Sequence, residues 1–233
     1  MAAMLRRTLL TLGFVVLAGC SGGARLGQPQ HESKVLELDK SELTRVELKM
    51  SAGVLSVAGG SLKLLEADFD YDTSGWKPHV EYHSTGVRSD VEISHSPGIV
   101  SHGKSEWNLR FNDSVLMDLV VQMGAGEARL NLGSLNLRSV AFNLGTGQVD
   151  VDLRGSPIRS YDVQIEGGVG QATVHLPSNV AISATAAGGI GQINVRGLEK
   201  RNGRWINPLH ENGPVTIRVD VKGGVGQIDL VAE

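Results

Sequence analysis

Residues 145–151 read Gly-Thr-Gly-Gln-Val-Asp-Val, and this pattern, a G-x-G pair followed by alternating apolar and polar residues, occurs five times in the second half of the chain. The intervals between successive second glycines are 21, 23, 21 and 35 residues. A short β-like motif at a nearly fixed period is typical of proteins built from stacked repeats. The ten motif glycines are Gly124, Gly126, Gly145, Gly147, Gly168, Gly170, Gly189, Gly191, Gly224 and Gly226. We therefore predict an all-β fold, a β-solenoid-like stack of short strands with an N-terminal β-domain packed on it.

The five copies share columns of similar residues when they are aligned on the second glycine. The apolar columns are Ala128, Val149, Ala172, Ile193 and Ile228, and then Leu130, Val151, Val174, Val195 and Leu230. Because side chains on a strand alternate between two faces, these columns are expected to point inward and to lie in register between copies. A third column, Glu127, Gln148, Gln171, Gln192 and Gln227, is expected to form a ladder of side-chain amides. The motif glycines are interpreted as structural turn residues, where positive φ or close backbone approach excludes a Cβ.

The first 19 residues have the pattern of a bacterial lipoprotein signal peptide. Arg6 and Arg7 precede a short apolar stretch, which leads into Leu17-Ala18-Gly19-Cys20. The apolar stretch is too short to span a bilayer, and small residues before the cysteine are typical of a cleavage site. Cys20 is the one cysteine of the chain, so no disulfide framework is available. We predict lipidation of Cys20 and export to a membrane, the outer membrane in a Gram-negative bacterium because Ser21 follows the cysteine.

The remaining chain is divided by changes in composition. Residues 20–33 are rich in Gly, Ser, Gln and Pro and are predicted to form a flexible linker. Residues 34–122 contain short alternating runs separated by turn residues, which predict an N-terminal β-domain with antiparallel hairpins. Residues 123–233 contain the repeats, and Asn202-Gly203 predicts a hairpin insertion near 198–211 that caps the stack or binds a partner.

Composition excludes one class of partner. The formal net charge is −3, with 22 Lys and Arg against 25 Asp and Glu, and the two signs are interspersed along the chain. A nucleic-acid-binding protein would concentrate basic residues on one stripe or face. We therefore expect no nucleic-acid partner.

Several stretches resemble a known family. They include Val46–Leu55 with Gly59-Gly60, Leu64–Phe69, Trp76–Tyr82, Trp107–Phe111 and Met117–Leu119. Together they resemble the N-terminal domain of toast-rack proteins, and the glycine repeats resemble the β-repeat region shared with cell-wall-active-antibiotic response proteins and adhesins. Ser51 departs from the family pattern, which favours glycine there. The resemblance implies a β-solenoid-like stack, an exported or membrane-associated protein with a role in envelope sensing, and no catalytic residues.

Candidate chemical sites in the chain do not match established motifs. Gly168-Val169-Gly170 lacks the third glycine and the following helix of a dinucleotide-binding motif, so no cofactor is expected. Gly223–Asp229 misses the calcium nonapeptide repeat by one position. On a strand, His79 and His83 would lie about 13 Å apart, too far for one metal ion. His95 and His102 could approach them only through folding, and we predict no metal site.

The function expected from the sequence is that of a lipid-anchored envelope protein and not of an enzyme. It would act as a scaffold, an adhesin-like surface or an envelope-sensing surface that contacts the membrane and an envelope protein or glycan. The alternative is a protein that binds or cleaves cell-envelope glycan. Asp150 and Asp152 carry that alternative, since alternate residues of a strand lie about 6.6 Å apart, within the range of glycosidase carboxylate pairs.

Overall fold

Thirteen β-strands account for most of the structure, a computed structural model that describes residues 29–95 and 103–233. The strands are β1 (Gln30–Leu36), β2 (Leu43–Ala58), β3 (Leu65–Tyr71), β4 (Pro78–Ser84), β5 (Arg88–His95), β6 (Ser105–Phe111), β7 (Met117–Asn131), β8 (Leu137–Asp152), β9 (Tyr161–Leu176), β10 (Ala181–Arg196), β11 (Glu199–Arg201), β12 (Arg204–Ile206) and β13 (Thr216–Ala232). The one helical element within these residues is a 3-10 turn at Ser74–Trp76. The all-β prediction is confirmed, in the form of one large mixed sheet.

Six long strands form a parallel ladder in the order β2-β7-β8-β9-β13-β10. Equivalent residues of the repeats pair directly, so Val151 lies opposite Val174, and Val174 lies opposite Leu230. Leu230 in turn pairs with Val195. The last repeat is therefore inserted between β9 and β10. The predicted register of the inward columns is confirmed, but Val195 reaches Val174 only through Leu230.

Each long strand is bent at its G-x-G motif, which divides it into a first arm and a second arm. In β8, from Val140 onward, the buried residues are Val140, Phe142 and Leu144 before the bend and Val149 and Val151 after it. The buried positions thus change from even to odd across the motif, so the two arms turn opposite faces of the strand inward. Both arms contribute to a single hydrophobic core. The bend therefore places the core between the two arms of every long strand.

Glycines at the bends form a column in which backbone packs on backbone. The second glycine of each motif has φ between +128° and +146° in Gly126, Gly147, Gly170, Gly191 and Gly226. These residues pair in register with one another, and Gly126 pairs with Gly53 of β2. A Cβ on Gly170 would lie 1.7 Å from the carbonyl oxygen of Gly147. Both the backbone conformation and the contact with the next strand therefore require glycine at this position.

The N-terminal strands extend both arms of β2. β5 pairs with the first arm and itself pairs with β4 as an antiparallel hairpin, while β6 pairs with the second arm and continues through β3 to β1. The fold begins at Gln30, so residues 30–33 belong to β1 instead of the predicted flexible linker. β3 pairs with β1 and β6 and not with its neighbour β4. The hairpin prediction for this region is thus correct for β4 and β5 only.

His95 completes the bend of β2, where the sequence has Ser51 in place of a glycine. The Ser51 amide donates to His95 Nδ1 at 3.1 Å, so the neutral ring carries its proton on Nε2, which donates to Ser105 Oγ at 3.1 Å. The ring packs edge-on against Trp76 and Trp107, with centroid distances of 4.8 and 4.9 Å. Burial lowers the pKa of His95 to about 4. The bend of β2 is the first in the ladder, so no preceding bend packs against it. The His95 imidazole instead accepts the hydrogen bond from the backbone amide of Ser51.

The β11–β12 hairpin extends the first-arm side of the sheet beyond β10. Asn202 and Gly203 occupy its turn with φ of 49° and 79°, as expected for an Asn-Gly hairpin turn. Trp205 pairs with Ala184 of β10 and packs against the core, with Lys200 Nζ 5.2 Å from its ring centroid. The hairpin therefore covers the beginning of β10 and leaves the rest of that strand's edge uncovered.

Some expectations concern residues outside those that the structure describes. These are the signal peptide at 1–19, lipidation of Cys20, the first part of the linker and His102. The boundary between residues 122 and 123 falls within β7, and a division of the chain into two domains there stays a prediction.

Replacement of Gly170 by alanine should destabilise the protein more than the same change at Gly86. Both glycines have positive φ, but a Cβ on Gly86 would meet nothing within 4 Å, whereas on Gly170 it would meet the backbone of Gly147. We expect Gly86→Ala to cost about 1–2 kcal/mol in unfolding free energy and Gly170→Ala about 2–5 kcal/mol, since backbone strain and overpacking add. Urea unfolding of both variants measures the difference. Equal losses would contradict the backbone-contact explanation.

Stability should fall as the pH decreases from about 6.5 to about 4, in part because of His95. Its pKa in the folded protein is lowered from 6.5 to about 4, so within this window the unfolded chain binds a proton that the folded protein does not. Protonation would also place a second hydrogen on Nδ1, against the Ser51 amide. In His95→Asn the amide oxygen can accept from Ser51 but cannot titrate. The difference in unfolding free energy between wild type and this variant should therefore shrink from pH 8 to pH 4.5, and a constant difference would refute it.

Candidate recognition surface

The middle residues of the six G-x-G bends, or x-A-G in β2, form a row that we call the bend ridge. In spatial order it consists of Ala52, Ala125, Thr146, Val169, Val225 and Ile190. Val169 is 51% exposed, Val225 is 46% exposed and Ile190 is 73% exposed. Neighbouring strands lie about 4.8 Å apart, so these three side chains form a continuous apolar strip. Exposed apolar strips of this kind are typical of interaction sites.

Packing inside the bends changes along the same direction. The residue before the first glycine is Met50, Met123 or Leu144 in β2, β7 and β8. At the paired positions of β9, β13 and β10 it is Gly167, Gly223 and Gly188. Ile228 and Ile193 fill the space beside two of these glycines, but β9 has only Ala172, and a Cβ on Gly167 would meet nothing within 4 Å. The result is a cavity of about 70 Å³ under the apolar end of the ridge.

The double glycines were the signal for this cavity that sequence reasoning missed. Three of the five motifs read Gly-Gly-x-Gly, whereas the motifs of β7 and β8 begin with Met123 and Leu144. The sequence pattern indicates five equivalent copies, because all five contain the same G-x-G residues. The preceding residue separates three well-filled bends from three that lack a side chain at that position.

The outer face of the first arms is polar. A row of paired residues runs from Lys49 through Gln122, Asn143 and Glu166 to Lys222. It borders an open groove of about 860 Å³ along the bends. Lys49 contacts Glu92 at 3.1 Å and Lys222 contacts Glu166 at 3.2 Å, so charges along the row are balanced by neighbours. This face therefore offers amides and neutralised ion pairs.

The column after the second glycine is in register but does not form the expected ladder of paired amides. Gln171 and Gln227 both donate to Asp229 Oδ2, at 3.3 and 2.6 Å. Asn194 donates to the other oxygen of the same carboxylate at 2.8 Å. Asp229 thus gathers the polar side chains of β9, β13 and β10 on the outer face of the second arms.

Asp150 and Asp152 do not have the arrangement of an acid and base pair. Asp152 accepts two side-chain hydrogen bonds from Arg154, at 2.9 and 2.6 Å, and a third from the Arg154 amide. These contacts lower the pKa of Asp152, the side-chain bonds most strongly. A glycosidase general acid needs a raised pKa. Asp150 is largely exposed, and His175 Nε2 lies 3.8 Å from its carboxylate. The pair is thus better suited to solvation and ion pairing than to catalysis.

The histidines considered as metal ligands are separated. His79 Nε2 contacts Glu81 at 3.0 Å on the exposed face of β4, whereas His95 is enclosed by aromatic rings at the bend of β2. Within residues 29–95 and 103–233, no three His, Cys, Asp or Glu side chains are grouped closely enough to hold a metal ion. The same residues contain no helix of the length and apolarity needed to cross a membrane.

A solved structure with a closely similar fold comes from Clostridium sporogenes. It is described as a putative cell adhesion protein, is 30% identical in sequence, and aligns over 88% of this chain and 100% of its own with a TM-score of 0.85. A putative adhesin from Bacteroides fragilis aligns over 87% of this chain and 97% of its own at 10% identity, with a TM-score of 0.33, too low to carry an argument. A comparison with curated proteins gives no match.

The family of the chain follows from a sequence comparison that covers 151 of its 233 residues. Residues 25–175 match the model for the N-terminal domain of toast_rack, DUF2154. This match begins before β1 and reaches into β9, so it includes four of the six bends. The resemblance seen in the sequence is confirmed, and the chain belongs to the toast-rack family.

Proposed function

We propose that this protein is a lipid-anchored envelope protein whose folded body is a non-catalytic, adhesin-like recognition surface. The anchor is Cys20, and residues 21–29 separate it from the first strand. The six parallel strands form a solenoid-like scaffold that holds the bend ridge away from the membrane. In a Gram-negative bacterium the anchor would lie in the outer membrane.

One observation carries this proposal: the apolar end of the bend ridge. Val169, Val225 and Ile190 come from three different strands and are exposed side by side, on backbone that the bend glycines hold rigidly. Exposed β-branched residues in such a row add little to folding and provide contact area for a partner. The fold similarity to a protein described as a putative cell adhesion protein supports the same class of function.

The glycan-cleaving alternative receives less support from the site. Its two carboxylates differ in environment, but the more buried one, Asp152, is held ionised by Arg154. Asp152 therefore does not supply the proton donor that glycoside cleavage requires. A groove lined by amides could still contact glycan as a binding surface, which is compatible with recognition.

Replacement of Cys20 by serine should release the protein from membranes. Serine cannot form the thioether to which lipoprotein acyl chains are added, and each buried methylene of an acyl chain contributes about 0.8 kcal/mol to membrane binding. Fractionation of cells that express Cys20→Ser should move the protein from the membrane pellet to the soluble fraction or to an unprocessed precursor. A variant that stays in the pellet in processed form would contradict the anchor.

Polar substitution of the bend ridge should weaken binding to the cell envelope. We expect Val169→Ser/Val225→Ser/Ile190→Ser to fold, because all three side chains are largely exposed, but to sediment with envelope preparations at least about tenfold less than wild type, since hot-spot residues dominate binding energy. The matched control is Leu62→Ser/Val87→Ser/Ile158→Ser, which removes three exposed apolar side chains outside the ridge. Binding lost equally in both triple variants, or in neither, would overturn the proposal.

A further inference from the structure

Among the described residues, one edge of β10 is largely without a partner strand. On one side β10 pairs with β13 from Ala181 to Arg196. On the other side it pairs with β12 at Ser183 and Ala184 only. From Thr185 to Arg196, therefore, the backbone groups on this side have no partner strand among the described residues. Unpaired edges are templates for the addition of a further strand.

The opposite edge of the sheet shows how this chain protects an edge. In β1, Glu32 pairs with Phe69 and Lys34 pairs with Ala67, so both charged side chains lie on the same face as buried core residues. Inward-pointing charges prevent another strand from docking without burying them. The second arm of β10 has Ile193 and Val195 at its inward positions instead, paired with Ile228 and Leu230. Its edge is apolar on the inside and unprotected.

The hairpin gives this edge the shape of a notch. β12 and β11 continue the first-arm side of the sheet by two strands, whereas the second-arm side ends at β10. Trp205 pairs with Ala184 and Lys200 pairs with Trp205, so both side chains share the core-facing side of the hairpin. The space next to the second arm of β10 is thus bordered by Ile193 on one side and by Trp205 and Lys200 on the other.

In the described part of the chain, positively charged side chains without a carboxylate partner lie near the notch. Most Lys and Arg side chains elsewhere contact a carboxylate, as Arg218 does with Asp162 and Arg138 does with Asp118. Among the described residues, neither Arg196 nor Lys200 forms an ion pair, and Lys200 contacts the Trp205 ring instead. Arg204 donates to the hydroxyl of Ser183. An occupant with carboxylates would complement these cations.

We propose that the second arm of β10 binds an extended segment of another protein as an added β-strand, and that this segment alternates apolar and acidic residues. This rests on the proposed recognition function and names its site and partner chemistry. The apolar side chains face Ile193, Val195 and Trp205, and the acidic ones lie on the opposite face of the added strand, on the side of Arg196. Backbone hydrogen bonds supply affinity and alternate side chains supply specificity, as in other cases of strand addition.

A second copy of the chain fits this edge poorly. Two β10 edges side by side would give Arg196 no carboxylate partner, because residues 185–196 contain no Asp or Glu, and the protruding hairpins would meet the first arms of the neighbour. The β1 edge of another copy would bury Glu32 and Lys34 against apolar side chains. Both arrangements incur charge penalties that an acidic segment avoids.

The test uses the purified full-length protein in detergent and a fluorescein-labelled peptide, acetyl-Val-Asp-Val-Asp-Val-Asp-Val-amide, with a peptide containing Lys in place of Asp as control. Fluorescence anisotropy should show saturable binding of the acidic peptide that weakens with salt, and binding of the basic peptide at least about tenfold weaker. Peptide binding should slow amide hydrogen exchange in residues 185–196 and not in β1. Failure of the acidic peptide to bind, or equal binding of the basic peptide, would overturn the proposal.

Variants separate the edge from the rest of the surface. Ile193→Asp places an inward carboxylate on the edge, as Glu32 does on β1, and should weaken acidic-peptide binding at least about tenfold. Leu62→Asp adds the same charge at a side chain that is 87% exposed, in the connection between β2 and β3, and should bind like wild type. Arg196→Gln should bind more weakly and with a shallower salt dependence. Unchanged binding by Ile193→Asp would overturn the proposal, and concentration-dependent dimerisation that Ile193→Asp abolishes would replace it with self-association.

These outcomes are distinguishable from failure of the proposed function. If the peptide does not bind but the ridge variant still loses envelope binding, strand addition is wrong and the recognition function stands. If the ridge variant binds envelopes like wild type, the recognition function fails whatever the peptide does. If Ile193→Asp does not fold, protection of residues 185–196 from hydrogen exchange in the wild type decides the question alone.

Discussion

The contact of backbone with backbone at the bends is the constraint on which the rest of the structure depends. Every second glycine of the motif lies directly against the carbonyl oxygen of the neighbouring one, with no room for a Cβ. Because the conformation and the contact are the same in six strands, the strands must stack in register at this point. Register at the bend then fixes which residues of both arms face inward. The aliphatic core is a consequence of this alignment as much as its cause.

Within this uniform backbone, the side chains divide the stack into two parts. The bends of β2, β7 and β8 are filled by Met50, Met123 and Leu144, and the aromatic cluster around Trp107 lies beside the bend of β2. The bends of β9, β13 and β10 contain glycine at the same position and carry larger apolar residues on the outside. Large apolar side chains thus occupy the inside of the bend in β2, β7 and β8 and its outer surface in β9, β13 and β10. The bends of the first half are filled by side chains, and those of the second half expose apolar side chains at the surface.

The sequence predicted the repeated features well because each is a local pattern. A G-x-G pair followed by alternation predicts a bend and a strand wherever it occurs, and Asn202-Gly203 predicts a hairpin turn. Residues 30–33 of β1 are interpreted as linker from the sequence because they lack apolar alternation, since the inward position in this stretch is occupied by Glu32. The role of His95 depends on Ser51, which lies 44 residues away and does not belong to the same motif. The order of the repeated strands in the ladder cannot be read from the sequence, because strands with equivalent apolar faces can pair in any order. The periodicity therefore does not show which repeats are neighbours.

The insertion of β13 between β9 and β10 has a consequence for how the fold is completed. The ladder can grow in chain order from β2 to β9, but β10 has no rung to pair with until residues 216–232 have joined the stack. β13 thus completes the ladder. A chain that stops before β13 would expose the edges of both β9 and β10, instead of the edge of β10 alone. The native topology therefore cannot be completed until residues 216–232 have been synthesised.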